Sequence, residues 1–238
     1  MKSTELPFVR EMFNHIAPQY DFLNRLLSLR RDVHWRRALV AALGLNKGAV
    51  VLDVACGTAD VPLEVVRQVG DRVRVVGADF APQMLRLGRP KIKRAGPKGD
   101  TIHLVAADAF ALPFAAQRFD AVTMAFGIRN VQDKQTVLQR FHHLLKPGGR
   151  LAILELGMPS EGLLGSLFRN YFSRLLPLVG RLFSRHGFAY SYLPDSVAHF
   201  PPPAAFAALM RGAGFENVRY RPLTLGIAVL FVGVKSKS

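Results

Sequence analysis

From residue 49 onwards, short apolar stretches alternate with segments in which apolar residues recur every three or four positions. The short stretches are rich in Val, Ile and Leu, which is typical of buried strands, whereas the spaced pattern predicts amphipathic helices. The predicted strands are 49–55, 72–79, 102–108, 119–127 and 150–156, and the predicted helices are 61–70, 81–94 and 134–149. This alternation predicts an α/β fold whose mostly parallel sheet carries helices on both faces.

The N-terminal part of the chain is predicted to be helical. Apolar residues keep helical spacing over 8–43, and Pro18 is expected to interrupt them. For the same reason the helix over 81–94 is expected to break near Pro90.

The C-terminal part has a different pattern. A helix is predicted over 203–214, followed by strands at 215–223 and 226–235. The connection between these two strands is too short for a crossover, so an antiparallel hairpin is predicted.

Residues 160–195 fit neither a crossover nor a linker. They are apolar but contain four arginines, which predicts an inserted helical lid. We therefore expect a single domain over 1–238, with an N-terminal helical cap at 1–46 and this lid.

Composition and charge narrow the class of protein. Of the 238 residues, 50% are hydrophobic, which is typical of a globular domain, and the net charge of +15 favours a nucleic acid or an anionic lipid surface as neighbour. The single cysteine, Cys56, excludes a disulfide framework and a multi-cysteine metal site, and it fits a reducing cytoplasm. The sequence shows no signal-peptide core and no run of about 18 apolar residues, so no spanning helix is expected.

The stretch VLDVACGTAD, residues 51–60, places small residues directly after the first strand. In an open α/β sheet, ligands bind beyond the carboxyl ends of the strands, where the strand order reverses. Small residues let a ligand approach the main chain, and the start of the next helix supplies unpaired N–H groups. The G-x-G-x-x-G pattern and the P-loop lysine are both missing, so phosphate is not the predicted ligand.

Acidic residues mark the ends of the first three strands, at Asp53, Asp79 and Asp108. Each of them alone is explained by a helix cap or a turn. Together, Asp79 suits two ribose hydroxyls, and Asp108 with Ala109 lies where an adenine edge is expected. A nucleoside with a carboxylate tail and no phosphate satisfies these positions, and S-adenosylmethionine is such a molecule.

These features resemble those of class I S-adenosylmethionine-dependent methyltransferases, whose fold is a Rossmann-like sheet. A more specific resemblance, to the ubiquinone/menaquinone biosynthesis C-methyltransferases, rests on segments that occur in the family's order: FNHIAPQYDFLN, VLDVACGTAD, GADFAPQML, ADAFALPF, FDAVTMAFGIRNVQD, LKPGGRLAILE and YLPDSVAHFP. It implies C-methylation of the ring of a polyprenylated quinol, either demethylmenaquinol or a ubiquinol precursor.

The cofactor-binding candidates are Asp53, from the acidic strand ends, and five residues that the resemblance assigns: Gly57, Thr58, Asp79, Asp108 and Ala109. The resemblance implies that Gly57 and Thr58 contact the methionine part, that Asp79 holds the ribose, and that Asp108 and Ala109 flank the adenine. The family usually has glycine where this chain has Cys56 and Ala59. We expect the turn to be kept with these small residues, although a left-handed backbone there would be strained, and we expect Cys56 to pack rather than react.

The catalytic candidates are Tyr20, Asp21, Arg129 and Asn130. Transfer to a ring carbon is helped by deprotonating or strongly hydrogen-bonding a ring hydroxyl. Arg129 is predicted to stabilise a phenolate or position a water, or alternatively to pair with an acid and order its loop, and Asn130 to hydrogen-bond a quinol oxygen. Tyr20 is predicted to touch cofactor or ring, and Asp21 to be either the base or a helix N-cap.

The remaining expectations concern partners. The histidines are expected to be structural or surface residues, and no metal is predicted. A polyprenylated quinol lies in the membrane, so the enzyme is expected to contact the inner face of the cytoplasmic membrane as a peripheral protein. The segment 161–193 and the basic run 86–94 are predicted to make this contact. The resemblance implies self-association as a homodimer. Two rival functions stay open: a nucleic-acid methyltransferase, which the scattered charge disfavours, and a non-catalytic partner in a quinone-biosynthesis assembly.

Overall fold

Within the described part of the chain, seven strands form one sheet in the order β3-β2-β1-β4-β5-β7-β6. The computed structural model describes residues 7–70, 72–159 and 195–237. The strands are β1 Val50–Val54, β2 Arg74–Asp79, β3 Ile102–Ala106, β4 Phe119–Ala125, β5 Leu145–Leu156, β6 Phe215–Leu223 and β7 Ala228–Lys235. The first five are parallel, whereas β7 runs antiparallel to both β5 and β6. The predicted sheet and its terminal hairpin are confirmed.

Helices cover both faces of this sheet. They are α1 Pro7–Leu27, α2 Arg31–Leu43, α3 Asp60–Val69, α4 Pro82–Arg94, α5 Lys134–Leu144 and α6 Pro203–Gly212, with 3-10 turns at Gly96–Thr101, Ile128–Asn130 and Thr224–Gly226. Helices α5 and α6 bury apolar side chains against one face, and α2 and α3 bury theirs against the other. Alternate residues of β1 follow this division, because Leu52 joins the first core and Val51 the second.

Neither proline ends its helix, so two predictions are wrong. Pro18 lies inside α1 and Pro90 inside α4. Both prolines are exposed, so water can satisfy the carbonyl that each leaves unpaired, while the opposite face of each helix stays packed. The break between α1 and α2 comes instead at Leu29 and Arg30, whose φ angles of 50° and 61° are left-handed.

The predicted lid at 160–195 lies, apart from Asp195, outside the described residues. The single domain over 1–238 and its cap at 1–46 stay predictions. Helix α1 packs through Ala17, Phe13 and Tyr20 against Ala81 and Met84 at the start of α4. This packing places α1 beside the carboxyl ends of β1 and β2.

Candidate active site

A crevice opens where the strand order reverses, because β1 pairs with β2 on one side and with β4 on the other. Loops after four neighbouring strands meet at this edge of the sheet. They are 55–59 after β1, 80–81 after β2, 107–110 after β3 and 126–130 after β4. The predicted cofactor-binding residues lie in or next to these loops, where an open α/β sheet binds its ligands.

The turn after β1 has a strained backbone. Ala55, Gly57 and Ala59 have left-handed φ angles of 53°, 54° and 67°. Such a conformation costs roughly 1–2 kcal/mol for a residue with a Cβ atom. The strain expected from the missing family glycines is therefore present at Ala59 but not at Cys56, and the strain at Ala55 was not anticipated. Cys56 packs towards Gly77 of β2, and burial raises the pKa of its thiol, as suits a packed rather than a reactive residue.

Asp79 links two of the loops. One carboxylate oxygen accepts the Gly57 N–H at 2.8 Å and the other accepts the Ala81 N–H at 2.8 Å. Burial raises the pKa of Asp79 to about 6, against the opposing effect of its backbone hydrogen bonds. The structure thus brings Asp79 and Gly57 together, with Asp79 still mostly ionised at neutral pH.

Asp53 has a buried oxygen without a partner. Its Oδ1 accepts a hydrogen bond of 2.6 Å from Thr123, which lies opposite it on β4. Its Oδ2 has no hydrogen-bond partner among the described residues, although the residue is only 1% exposed. Burial raises the pKa of Asp53 to about 8. An orphaned acidic oxygen at this depth fits a cationic or hydrogen-bond-donating ligand group.

Asp21 reaches from α1 to the turn after β1. It accepts a hydrogen bond of 2.6 Å from the Thr58 hydroxyl and one of 2.9 Å from Lys91 of α4. Partial burial works to raise the pKa of Asp21, but the hydrogen bonds from Thr58 and Lys91 outweigh it and lower the pKa below its ordinary value. A carboxylate held in this way is a weak base. The alternative of a helix N-cap is wrong, because Asp21 lies inside α1.

Tyr20 covers the turn from the same helix. A Cβ placed on Gly57 would lie 3.9 Å from Cε1 of Tyr20. Burial raises the pKa of Tyr20, and a hydrogen bond with Asn24 opposes this. Tyr20 therefore faces the crevice as a neutral phenol.

Arg129 forms a buried ion pair with Glu155. Its Nη1 donates to Glu155 Oε1 at 2.7 Å, and its backbone N–H donates to Oε2 of the same carboxylate at 3.1 Å. The two side chains are 8% and 0% exposed. Nη1 also donates to the Phe126 carbonyl, and Nε lies 3.4 Å from the Ser196 hydroxyl. Pairing with an acid, one of the two predicted alternatives, is thus what the structure shows, and a catalytic contact stays a prediction.

The loop that carries Arg129 packs on Trp35 of α2. The Trp35 and Phe126 ring centroids are 6.2 Å apart, and the Trp35 indole donates to the Thr224 hydroxyl at 2.8 Å. Phe126 has a left-handed φ of 58°. A bulky residue in this conformation is often found where a site holds its backbone under strain.

The other predicted residues are placed at the same edge of the sheet. Asp108 accepts the Phe110 N–H at 2.9 Å, which is a turn contact, and Ala109 is buried next to it. The backbone N–H of Asn130 donates to the Gly127 carbonyl at 3.1 Å. In the described ranges, no group of three or more His, Cys, Asp or Glu could hold a metal ion.

Sequence reasoning missed two residues of this site. Glu155 stands in the otherwise apolar segment AILEL, and a charge within a buried strand was the available signal. Lys91 belongs to the basic run 86–94 that is predicted to contact the membrane, but its side chain is 17% exposed and pairs with Asp21 and Asp60. No local pattern distinguishes it from Lys93.

Comparison with known proteins places the chain in a family. The model of the ubiE/COQ5 methyltransferase family matches residues 1–235. A ubiquinone/menaquinone biosynthesis C-methyltransferase UbiE of Geobacter sulfurreducens is 47% identical over 95% of this chain and 88% of its own length. Demethylmenaquinone methyltransferases of Deinococcus radiodurans and Thermus thermophilus are 48% and 47% identical, over 95% and 93% of this chain and 92% and 99% of their own lengths.

Solved structures agree with the fold. A SAM-dependent methyltransferase of Aquifex aeolicus has a TM-score of 0.64 at 16% identity, covering 90% of this chain and 97% of its own. Phosphoethanolamine N-methyltransferase 2 of Haemonchus contortus, in complex with S-adenosyl-L-methionine, has a TM-score of 0.63 at 14% identity, covering 84% and 52%. These likenesses show a Rossmann-like methyltransferase fold. Since the family model spans nearly the whole sequence, the chain belongs to the ubiE/COQ5 methyltransferase family.

Proposed function

We propose that this enzyme transfers a methyl group from S-adenosylmethionine to a ring carbon of a polyprenylated quinol, with demethylmenaquinol as substrate and a ubiquinol precursor as the alternative. The observation that carries the proposal is the meeting of Asp53, Asp79 and the small-residue turn in one crevice of a ubiE/COQ5 family member. The names of the Deinococcus and Thermus relatives favour the naphthoquinol ring.

The residues at the crevice fit this cofactor. The unpartnered oxygen of Asp53 suits a positively charged group, and the Asp79 carboxylate suits ribose hydroxyls. Asp108 and Ala109 are proposed to flank the adenine, and Gly57 lets a ligand approach the backbone closely. The cofactor, when bound, supplies the electrophilic methyl group.

The loop after β4 is proposed to act on the quinol. The contacts of Arg129 with Glu155, Phe126 and Ser196 use Nη1 and Nε, so within the described ranges Nη2 is left for a substrate oxygen. A guanidinium there stabilises a developing phenolate, and because it carries only hydrogen-bond donors it does not act as the base. Asn130 is proposed to hydrogen-bond the second quinol oxygen, and Tyr20 to contact cofactor or ring and exclude water.

A methyl-transfer assay tests the function. With a radiolabelled methyl donor, the purified enzyme is expected to label a short-chain demethylmenaquinol, and to label a ubiquinol precursor more slowly. The oxidised quinone serves as control, because it lacks the ring hydroxyl and is not expected to accept the methyl group. Labelling of RNA in place of both quinols would contradict the proposal and support a nucleic-acid methyltransferase. Donor binding without any transfer would support a non-catalytic partner.

We also propose that the enzyme works at the inner face of the cytoplasmic membrane, as a peripheral protein. Among the helices that the structure describes, none is long and apolar enough to cross a membrane. Leu26 and Leu29, near the end of α1, are 40% and 80% exposed, and exposed arginines lie beside them at Arg25, Arg30 and Arg31. Exposed apolar side chains with cations around them suit an anionic bilayer surface. Homodimer formation stays a prediction from the resemblance.

Vesicle co-sedimentation tests this placement. The enzyme is expected to sediment with anionic vesicles at low salt and to be largely released at about 0.5 M salt, since screening weakens surface charge attraction. Neutral phosphatidylcholine vesicles are the control and are expected to retain little protein. Equal sedimentation with both kinds of vesicle would contradict an electrostatic contribution.

A further inference from the structure

Helix α4 approaches the turn after β1 more closely than a helix with side chains on that face would. Gly88 faces the turn, and a Cβ placed there would lie 3.2 Å from the carbonyl carbon of Thr58. One helical turn later, Lys91 extends its ammonium to the Thr58 hydroxyl at 2.9 Å and to Asp21 Oδ2 at 2.9 Å. Lys91 also pairs with Asp60 at the start of α3. Three helices and the turn thus meet at one lysine.

A second cation, Arg36, pairs with the same aspartate as Lys91. Arg36 of α2 pairs with Asp60 at 3.0 Å and with Asp32 on its own helix. The Arg36 side chain is 11% exposed and that of Asp32 is 4% exposed. Asp60 is therefore shared between Arg36 and Lys91, which limits the positions open to the Lys91 ammonium.

Only one assignment of hydrogen-bond donors and acceptors is possible around the Thr58 hydroxyl. A lysine ammonium can only donate, and an ionised carboxylate can only accept. Thr58 therefore donates its single hydroxyl proton to Asp21, at 2.6 Å, and accepts from Lys91. A hydroxyl oxygen has two lone pairs, so one remains for a ligand, and the hydroxyl has no proton left to offer.

We propose that Lys91 and Asp21 are positioning residues that fix the Thr58 hydroxyl as an acceptor towards the cofactor. Thr58 then recognises a hydrogen-bond donor on the amino-acid part of the cofactor, its ammonium group, and does not bind its carboxylate. The inference rests on the proposed function, because it concerns the same cofactor site. In this proposal Asp21 helps to orient Thr58 for cofactor binding and is not the base that removes a proton from the quinol.

A double-mutant cycle read out by calorimetry tests the proposal. Lys91→Met is expected to weaken S-adenosylmethionine binding about tenfold, equivalent to about 1.4 kcal/mol. In a Thr58→Val background the same substitution is expected to change the affinity by less than about twofold, since the group that Lys91 orients is gone. Lys91→Arg is expected to restore part of the loss.

A second ligand separates positioning from general damage to the fold. Methylthioadenosine lacks the amino-acid part, so Lys91→Met is expected to leave its affinity within about twofold of the wild-type value. Arg67→Met removes an ion pair with Glu64 on the surface of α3, where Arg67 is 54% exposed, and is the matched control with no expected effect on either ligand. Equal losses for both ligands, or equal losses in both Thr58 backgrounds, would overturn the role of Lys91. Failure of the wild-type chain to bind S-adenosylmethionine would instead overturn the proposed function.

Discussion

Replacing Arg129 with alanine is expected to lower kcat about 100-fold or more, which corresponds to about 2.7 kcal/mol of lost transition-state stabilisation. The affinity for S-adenosylmethionine is expected to change less than about twofold, because Asp53, Asp79 and the turn after β1 do not contact Arg129 in the described hydrogen bonds. Steady-state kinetics with a short-chain demethylmenaquinol, together with calorimetry of cofactor binding, measure both effects.

The single substitution of Arg129 also leaves its partner Glu155 without a counter-charge, which is expected to lower stability. Glu155 is fully buried, and an uncompensated buried carboxylate costs about 3–5 kcal/mol of stability. The double variant Arg129→Met/Glu155→Gln removes both charges and is expected to fold with a melting temperature nearer to that of the wild type. Loss of turnover in this double variant would show that Arg129 is needed for chemistry. Wild-type turnover in either variant would refute the catalytic role.

Replacing Asp53 with asparagine is expected to weaken S-adenosylmethionine binding about tenfold or more. The amide keeps an acceptor for Thr123, but it cannot ionise to pair with the positively charged group of the cofactor. Asp120→Asn is the matched control, because Asp120 lies at the start of β4, at the opposite edge of the sheet. It is expected to bind the cofactor as the wild type does. Unchanged affinity in Asp53→Asn would show that the orphaned oxygen serves another purpose.

The same variant is expected to change how stability depends on pH. The pKa of Asp53 rises from 3.8 to about 8 on folding. Between these values the folded state holds a proton that the unfolded state has lost, so stability falls as pH rises and the loss is complete above about pH 8. Denaturant unfolding of the cofactor-free protein at about pH 5.5 and about pH 8.5 is therefore expected to show a larger decrease for the wild type than for Asp53→Asn. An equal decrease in both proteins would place the titrating group elsewhere.

The succession of strands and helices along the chain, the mostly parallel sheet and the strand ends that carry the site could be predicted from the sequence because they follow from local patterns. Apolar runs separated by amphipathic segments define βαβ units, and such units connect in few ways. The two exposed prolines show the limit of local rules. Pro18 and Pro90 carry a strong breaking signal, yet packing on the other face of each helix outweighs it.

The hydrogen-bond and ion-pair partners of the site residues could not be predicted in the same way. The contacts of Lys91 with Thr58 and of Arg129 with Glu155 join residues separated by 33 and 26 positions. Asp21 and Lys91 are further apart still, at 70 positions. Which acid meets which base depends on how helices cross and how loops end, and periodicity carries no information about either. For this reason local patterns indicate which residue types stand at the site but not which side chains pair there.

The packing of Trp35 on Phe126 has a practical consequence. Trp35 is the chain's single tryptophan, and its indole lies against the loop whose carbonyl at Phe126 holds Arg129. Tryptophan emission from this enzyme therefore comes from one indole beside the loop that is proposed to act on the quinol. Rearrangements of that loop during turnover can be followed optically in the unlabelled protein.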